Sequence, residues 1–278
     1  MQQQALAELV EHCEVAPRHF RMRLRASAVA RTAQAGQFVH ILPRNSVELD
    51  PLLRRAFSIL VTNHDTLDVL YRIEGRGTAI MAQWRVGEMV DILGPLGVPF
   101  APLPRRALLV GGGVGVPPLV MLAAQRFQYA DKPYELTGLI GARSRAELIC
   151  LEDFERYQIP VRISTDDGST GHHGRVTDLL EEQLEQLDDK DEPPTVFACG
   201  PLAMLRAVSA ICSRFVAPCQ ISLEENMPCG VGVCNGCVVP VNVDGNEYSR
   251  YRRICIEGPV LWAHEVDWSQ YLTMTSCP

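Results

Sequence analysis

At Ala107 the chain changes its rhythm, and that change constrains its fold more than any other feature. Before it, from Arg18 to about Pro102, short β-rich runs at Phe38 to Leu42, Ala56 to Val61, Leu67 to Ile73 and Met89 to Leu93 are broken by Gly, Pro and Asn. Short strands at this spacing predict a small antiparallel barrel. After it, compact apolar runs at Ala107 to Val110, Leu136 to Ile140, Val161 to Ser164 and Thr195 to Ala198 alternate with helical patterns at Pro117 to Arg126, Ser144 to Tyr157, Arg175 to Gln186 and Pro201 to Phe215. That alternation predicts a doubly wound parallel sheet with helices on its faces. Asp188 to Pro194, acidic and proline-containing, reads as a surface loop. From Cys219 onward the chain is rich in Cys and Gly and poor in helical signals, as a compact cofactor-bearing tail would be. The expected organisation is therefore a β domain over 1–103, an α/β domain over 104–218 and a small third unit over 219–278, which suits a chain of 278 residues.

The bulk properties exclude several classes. A net charge of −7 with scattered arginines argues against nucleic-acid binding, which needs a basic face. No run reaches the length of apolar sequence that spans a bilayer, and Met1 to Val10 lacks the basic start and apolar core of a secretion signal, so the expectation is a cytoplasmic protein with no membrane partner.

Three of the ten cysteines crowd into nine residues. Cys229, Cys234 and Cys237 give C-x4-C-x2-C, and Cys255 follows after 17 intervening residues. Four thiolates at this spacing suit a 2Fe-2S cluster and resemble the plant-type ferredoxin pattern with a shortened final gap. Gly230, Gly232 and Gly236 lie between the ligands, where a tight loop must turn backbone N–H groups toward sulfur. The alternative is a structural zinc, which also takes four cysteines, although zinc modules usually present two close pairs and Cys255 has no near neighbour.

Two further signatures concern nucleotides. Gly111-Gly112-Gly113-Val114-Gly115-Val116-Pro117 follows an apolar strand and opens a helix, so phosphates can approach the backbone there. Cys199-Gly200-Pro201 repeats the strand-to-helix transition further on. In the β-rich half, Arg55-Ala56-Phe57-Ser58 starts a strand, and Tyr71-Arg72-Ile73 is followed by Gly75-Arg76-Gly77-Thr78 at the start of a helical stretch. Gly94-Pro95-Leu96-Gly97 reads as a turn that closes the barrel.

R-x-x-S, G-x-G-T, G-G-x-G-x-x-P and C-G-P, in this order, resemble the ferredoxin reductase-like superfamily. With the four-cysteine tail, with Ser222-Leu223-Glu224-Glu225 before it and with Cys255-Ile256-Glu257-Gly258-Pro259-Val260 at its end, the chain resembles the electron-transfer subunits of NAD-dependent (type B) dihydroorotate dehydrogenases over nearly its whole length. The resemblance implies a flavin-binding barrel, an NAD domain and a 2Fe-2S domain. It implies FAD held by Arg55, Ala56, Phe57, Ser58, Tyr71, Arg72, Ile73, Gly77 and Thr78, with Arg55 on the diphosphate, Ser58 near the isoalloxazine and residues 71 to 73 offering backbone groups to the ring. It implies NAD at Gly111, Gly112, Gly113, Gly115, Asp166, Asp167, Gly200 and Pro201, with Cys199 shaping hydride transfer without acting as a nucleophile. It also implies Cys229, Cys234, Cys237 and Cys255 as cluster ligands. The carboxylates of Thr165-Asp166-Asp167-Gly168-Ser169 suit a ribose hydroxyl better than a 2′-phosphate and favour NADH, with Arg143 and Arg145 as the contrary sign.

The implied partner is an FMN-containing catalytic subunit in a heterotetramer of two of each chain, and the implied route runs from its FMN through the cluster and FAD to NAD+ in pyrimidine biosynthesis. No segment is large enough for a barrel-type catalytic domain of its own. Ala56 and Phe57 in the flavin motif, the Met227-Pro228 lead-in and the Ile-Glu pair after Cys255 depart from the family's usual residues. Related modules serving sulfhydrogenases, ferredoxin:NADP oxidoreductases or sulfite and sulfide reductases remain alternatives, as do a stand-alone NADH:acceptor reductase and a non-catalytic redox sensor.

Overall fold

A computed structural model describes residues 3–44, 49–124, 134–187, 192–243 and 246–275. Gln125 and Arg126, residues 188–191 of the expected acidic loop, and Cys277 lie outside the described residues.

The β-rich half forms a closed six-stranded antiparallel barrel. Its elements are β1 (Gln3–Ala16), β2 (His19–Arg25), α1 (Ser27–Ala30), β3 (Phe38–Ile41), β4 (Arg55–Thr62), β5 (Thr66–Arg72), α2 (Arg76–Met81) and β6 (Met89–Leu96), and the strand order is β1-β2-β5-β4-β3-β6. Leu9, Met22, Leu24, Ile59, Val69 and Ile92 are fully buried inside it. β1 escapes the sequence pattern because a register shift between Leu9 and Glu11 interrupts its alternation, and a bulge of this kind hides a strand from a period-two search.

The second half is the expected α/β layer: β7 (Arg106–Gly112), α3 (Pro117–Ala124), β8 (Glu135–Ala142), α4 (Leu151–Arg156), β9 (Val161–Thr165), β10 (His172–His173), α5 (Val176–Glu185), β11 (Thr195–Cys199), α6 (Leu202–Arg214) and β12 (Cys219–Ser222). The remainder supplies β13 (Val238–Pro240), β14 (Tyr251–Arg253), α7 (Ile254–Glu257), β15 (Val260–Trp262) and α8 (Trp268–Thr275). The main sheet runs β10-β9-β8-β7-β11-β12-β15, parallel throughout except for β15. β12 and β15 thus carry the segment that begins at Cys219 into the sheet itself. Antiparallel β15 covers the edge that β12 would otherwise expose. The single helix expected over Ser144 to Tyr157 is instead a 3-10 turn at Arg145–Glu147 followed by α4, because Leu148 is extended and Cys150 takes a left-handed φ of 62°.

Two features lock the halves together. Pro117 to Ala123 of α3 are all buried, since this helix is covered by β4 of the barrel as well as by its own sheet. Asp68, 1% exposed, pairs with Arg21 and Arg23, and Arg21 reaches Asp153 of α4 at 3.1 Å. The third unit shares a core with the sheet, in which Cys237, Val239, Ile254 and Cys255 pack with Leu205, Val208 and Ile221. Gly94, Pro95 and Leu96 continue strand β6 instead of forming the expected turn, and the chain bends only at Gly97, where a Cβ would lie 2.6 Å from Pro259, so this glycine lets the barrel rim meet the third unit. Among the described residues no helix is long and apolar enough to cross a membrane.

Candidate functional site

The parallel strands end along one line, and the chain reverses its winding between β7 and β11, whose carboxyl ends pair as Gly111 with Cys199. A crevice at such a switch point is where open α/β sheets bind ligands. The backbones meet closely there. A Cβ on Gly115 would lie 2.5 Å from the carbonyl carbon of Cys199 and 2.5 Å from the nitrogen of Gly200, and one on Gly112 would lie 2.8 Å from the Met204 sulfur and 3.3 Å from Pro201. Gly113 holds a left-handed φ of 54° with open space where its side chain would be. Gly111, Gly112, Gly113, Gly115, Gly200 and Pro201 therefore form one backbone surface.

A cavity of about 790 Å3 opens beside this surface, between barrel and sheet. Arg55, Ala56, Phe57, Ser58, Tyr71, Arg72 and Thr78 line it from the barrel, and Cys199 and Leu202 line it from the α/β domain. Among the described residues Arg55 hydrogen-bonds only backbone carbonyls, those of Leu53 at 2.8 Å and Arg54 at 3.2 Å, and its Nε lies 3.5 Å from where a Gly77 Cβ would be. Its guanidinium is thus laid over the first turn of α2. Thr78 caps that turn, its Oγ1 accepting from the N–H of Glu74 at 2.9 Å and Gly75 at 3.2 Å. Tyr71 is tied down by a 2.9 Å hydrogen bond between its hydroxyl and His12, and its ring meets Phe57 edge-on at 5.7 Å. Ile73 stands apart, because its backbone N–H and carbonyl are both engaged by Arg18.

Electrostatics give the sheet side its character. Burial pushes the Cys199 thiol up to about 12, helped by the charge of Glu224 and opposed by hydrogen bonds from Ser222 and the Gly200 N–H. It is therefore a neutral thiol at physiological pH and no thiolate nucleophile. Glu224 also lines the cavity; part of the residue reaches solvent, but partial desolvation of its carboxyl raises it above the ordinary range, the Arg72 guanidinium opposes this and Glu74 adds to it. Asp166 and Asp167 lie elsewhere, beyond the end of β9. Their N–H groups donate to the carbonyls of Ala142 and Arg143, both at 3.1 Å. Asp167 accepts the Ser169 N–H at 2.9 Å, and Ser169 Oγ accepts from the Arg145 N–H at 2.7 Å, which builds a shallow cleft at the outer end of the crevice.

The four cysteines come together by pairs. The Cys229 thiol contacts that of Cys234, and the Cys237 thiol contacts that of Cys255. Burial would raise Cys229, but N–H groups of Cys234, Val231 and Val233 and the Cys234 thiol outweigh it and bring the thiol down to about 6. Burial and the hydrogen bond and charge of Cys237 push Cys255 up to about 12, against an N–H from Gly232. Gly236 N–H donates to Cys234 Sγ at 3.4 Å. Among the described residues no three His, Cys, Asp or Glu side chains close around one point as a single metal ion requires. Two thiol pairs wrapped by N–H donors fit a binuclear iron–sulfur centre, in which each iron takes two thiolates. Cys237 and Cys255 are buried and Cys234 is exposed, so the loop has an inner and an outer edge.

Residues 109–210 match the oxidoreductase NAD-binding domain, and residues 224–267 match the iron–sulfur cluster binding domain of dihydroorotate dehydrogenase B. The electron transfer subunit of dihydroorotate dehydrogenase B (NAD(+)) from Geobacillus kaustophilus is 40% identical over 259 residues, 91% of this chain and 94% of that one. The chain belongs to this family. The Streptococcus mutans electron transfer subunit is 37% identical over 258 residues, 91% of this chain and 93% of its own length. A solved structure of NADH-dependent reduced ferredoxin-NADP oxidoreductase superposes with a TM-score of 0.81 at 27% identity, covering 97% of this chain and 92% of that one. A flavohemoglobin from Malassezia yamatoensis, at TM-score 0.61 and 22% identity over 77% of this chain and 57% of that one, shares the fold alone.

Membership in the dihydroorotate dehydrogenase B electron-transfer family suits the order of the motifs along the chain, and the surroundings of three further residues are visible only in the fold. Glu224 sits inside a run that marks the family, yet only the fold reveals that its carboxyl faces both Arg72 and Cys199. Tyr271, from α8, reaches the cavity and donates its hydroxyl to Glu225. His40, on β3, is 0% exposed, and neither ring nitrogen has a hydrogen-bond partner among the described residues. Burial and the charge of Arg54 bring its pKa down to about 4, so its ring is neutral. A buried histidine on a strand has no sequence signal that separates it from a core residue.

Proposed function

We propose that this chain binds FAD in the 790 Å3 cavity and a 2Fe-2S cluster on the two thiol pairs, and relays electrons from an FMN-containing dihydroorotate dehydrogenase catalytic subunit to NAD+. The observation that carries this is that the R-x-x-S strand of the barrel and Cys199 at the sheet's switch point line one and the same cavity. A flavin bound there exchanges electron pairs with nicotinamide and single electrons with an iron–sulfur centre.

The chain's own residues do the rest. Arg55 offers a fixed positive charge over α2, where a diphosphate is favoured by guanidinium and backbone N–H groups together. Ser58 and the backbone at Tyr71 and Arg72 orient the ring. Gly111 to Gly115 and Gly200 leave the backbone bare for the dinucleotide, and Cys199, a neutral thiol, packs near the nicotinamide without reacting. Asp166 and Asp167 accept from an adenosine ribose and disfavour a 2′-phosphate, which selects NADH over NADPH. Cys229 and Cys234 hold one iron, and Cys237 and Cys255 hold the other.

Val233, 79% exposed beside exposed Cys234, gives the outer edge of the loop an apolar tip. The loop 225–237 faces the catalytic partner in this reading, within a cytoplasmic heterotetramer of two of each chain. The test is anaerobic preparation of the full chain. Two irons and two sulfides per chain, one FAD released on denaturation, bleaching by NADH, and dihydroorotate-dependent NAD+ reduction only after the FMN subunit is added are expected. One zinc with no sulfide, or dihydroorotate oxidation by the chain alone, refutes the reading.

A further inference from the structure

His40 lies where barrel and cluster loop touch. It is held on β3 with Ala56 and Leu93 as its cross-strand neighbours, in the middle of the rigid barrel wall. Gly230, directly after the first cysteine, passes over the ring: a Cβ there would lie 2.4 Å from Cε1, 2.6 Å from Nδ1 and 2.9 Å from Nε2 of His40. Gly230 also takes a φ of 69°, so its missing side chain serves both the turn and the imidazole beneath it. The loop is therefore moulded on the histidine.

The ring's chemistry is unfinished. A neutral imidazole always carries one N–H donor and one bare nitrogen, and a buried donor without a partner costs about 1–3 kcal/mol. Both nitrogens are buried and unpartnered among the described residues, and both lie under Gly230 in the loop that leads from Cys229 toward Cys234. The acceptors this part of the fold would gather are sulfurs. On the other side, the Phe38 ring lies 5.6 Å from that of His40, and Phe38 lines the cavity. Alternate residues of a strand share a face, so the two rings form a continuous packed path from cavity to loop.

We propose that His40, reaching from the flavin barrel, donates a hydrogen bond to a sulfur of the centre held by Cys229 and Cys234, and so raises its reduction potential. This rests on the reading of the four thiols as an iron–sulfur site. A donor at sulfur withdraws electron density and stabilises the reduced centre, which is one of the levers by which proteins set such potentials. His40 is in this sense the barrel's contact with the centre: it fixes the register of the loop through Gly230 and adjusts the electron affinity of the group that the loop holds.

The experiment uses the full chain, prepared anaerobically with its cofactors and labelled with 15N at histidine only. Iron and sulfide are counted first, and their absence refutes both this proposal and the reading beneath it. With the centre present, electron spin-echo modulation of the reduced centre should show a 15N coupling that His40→Gln abolishes while the other six histidines stay labelled. The midpoint potential should move to more negative values in His40→Leu and be restored, at least in part, by His40→Gln, whose amide supplies an N–H. A full complement of iron and sulfide with no 15N coupling in the wild-type chain, or a coupling that survives His40→Gln, overturns the proposal and leaves the iron–sulfur reading standing. Should His40→Leu fail to load, the wild-type spectrum decides alone.

Discussion

The nucleotide turn and the cluster loop do similar work by opposite means. At the turn, Gly111 and Gly112 belong to β7 and are paired to β8, and Cys199 ends β11, so sheet hydrogen bonds fix the backbone there. Gly115 is pressed against the Cys199 carbonyl with no side chain between. From Leu223 to Cys237 there is neither strand nor helix, and the N–H groups of Val231, Val233, Cys234 and Gly236 are turned toward cysteine sulfur. The first site is shaped by folding before any ligand arrives. The second, in the proposed function, would be organised by the atoms it binds, and its stability would then be tied to the metal that joins them.

The largest expected effect breaks this contrast at the loop. Cys255→Ser removes a ligand from the buried pair, and we expect iron content to fall by roughly tenfold or more, since folding of such a loop and metal binding are one equilibrium. Hydrogen exchange over 225–257 should accelerate sharply, whereas exchange over 107–112 and 195–199 should stay slow. If both regions lose protection together, the loop and the turn are one cooperative unit and the comparison fails. Gly115→Ala is the converse. Its new Cβ meets the Cys199 backbone at 2.5 Å, and overpacking of this kind costs about 1–3 kcal/mol. NADH affinity should drop by about tenfold in an equilibrium titration, with iron and sulfide unchanged. Retention of full affinity would mean that the close approach is incidental to binding.

The same contrast explains what was legible beforehand. Glycine turns at strand ends and thiol spacing are local patterns, so Gly111 to Gly115, Cys199-Gly200-Pro201 and the four cysteines were visible without a fold. Arg55 and Thr78 were visible through their motifs. β1 was lost because its bulge breaks the alternation, and β15 because three residues are too short to signal a strand that joins a distant sheet edge. His40, and the surroundings of Glu224 within the run Ser222-Leu223-Glu224-Glu225, are illegible for a different reason. His40 matters through its burial and its neighbour Gly230, and Glu224 through its neighbours Arg72 and Cys199; these are supplied by tertiary structure and leave no trace in spacing.

Asp167→Asn tests the outer end of the nucleotide crevice with a smaller effect. Asparagine keeps an oxygen for the Ser169 N–H but removes a charge that repels a 2′-phosphate. For an exposed charge, screened by solvent, the change is modest, so the ratio of kcat/KM for NADPH over NADH should rise by roughly a few-fold. An unchanged ratio would place the ribose away from β9 and detach this cleft from the turn.

The smallest effect concerns Glu224, where the cluster segment leans into the cavity. Partial desolvation raises its carboxyl pKa in the folded chain, so between the ordinary carboxylate value and the raised one the folded state holds a proton that the unfolded state has released. Its contribution to stability is therefore full below the ordinary value and is lost as pH rises through the folded value. Glu224→Gln removes that titration and keeps the shape. In paired denaturation curves the stability of the variant relative to wild type should increase with pH across this window and then level off, while the titrations of the cysteines, common to both proteins, cancel. Curves that remain parallel would mean that Arg72 compensates the partly desolvated charge in full, and the segment after β12 would then line the cavity at no electrostatic cost.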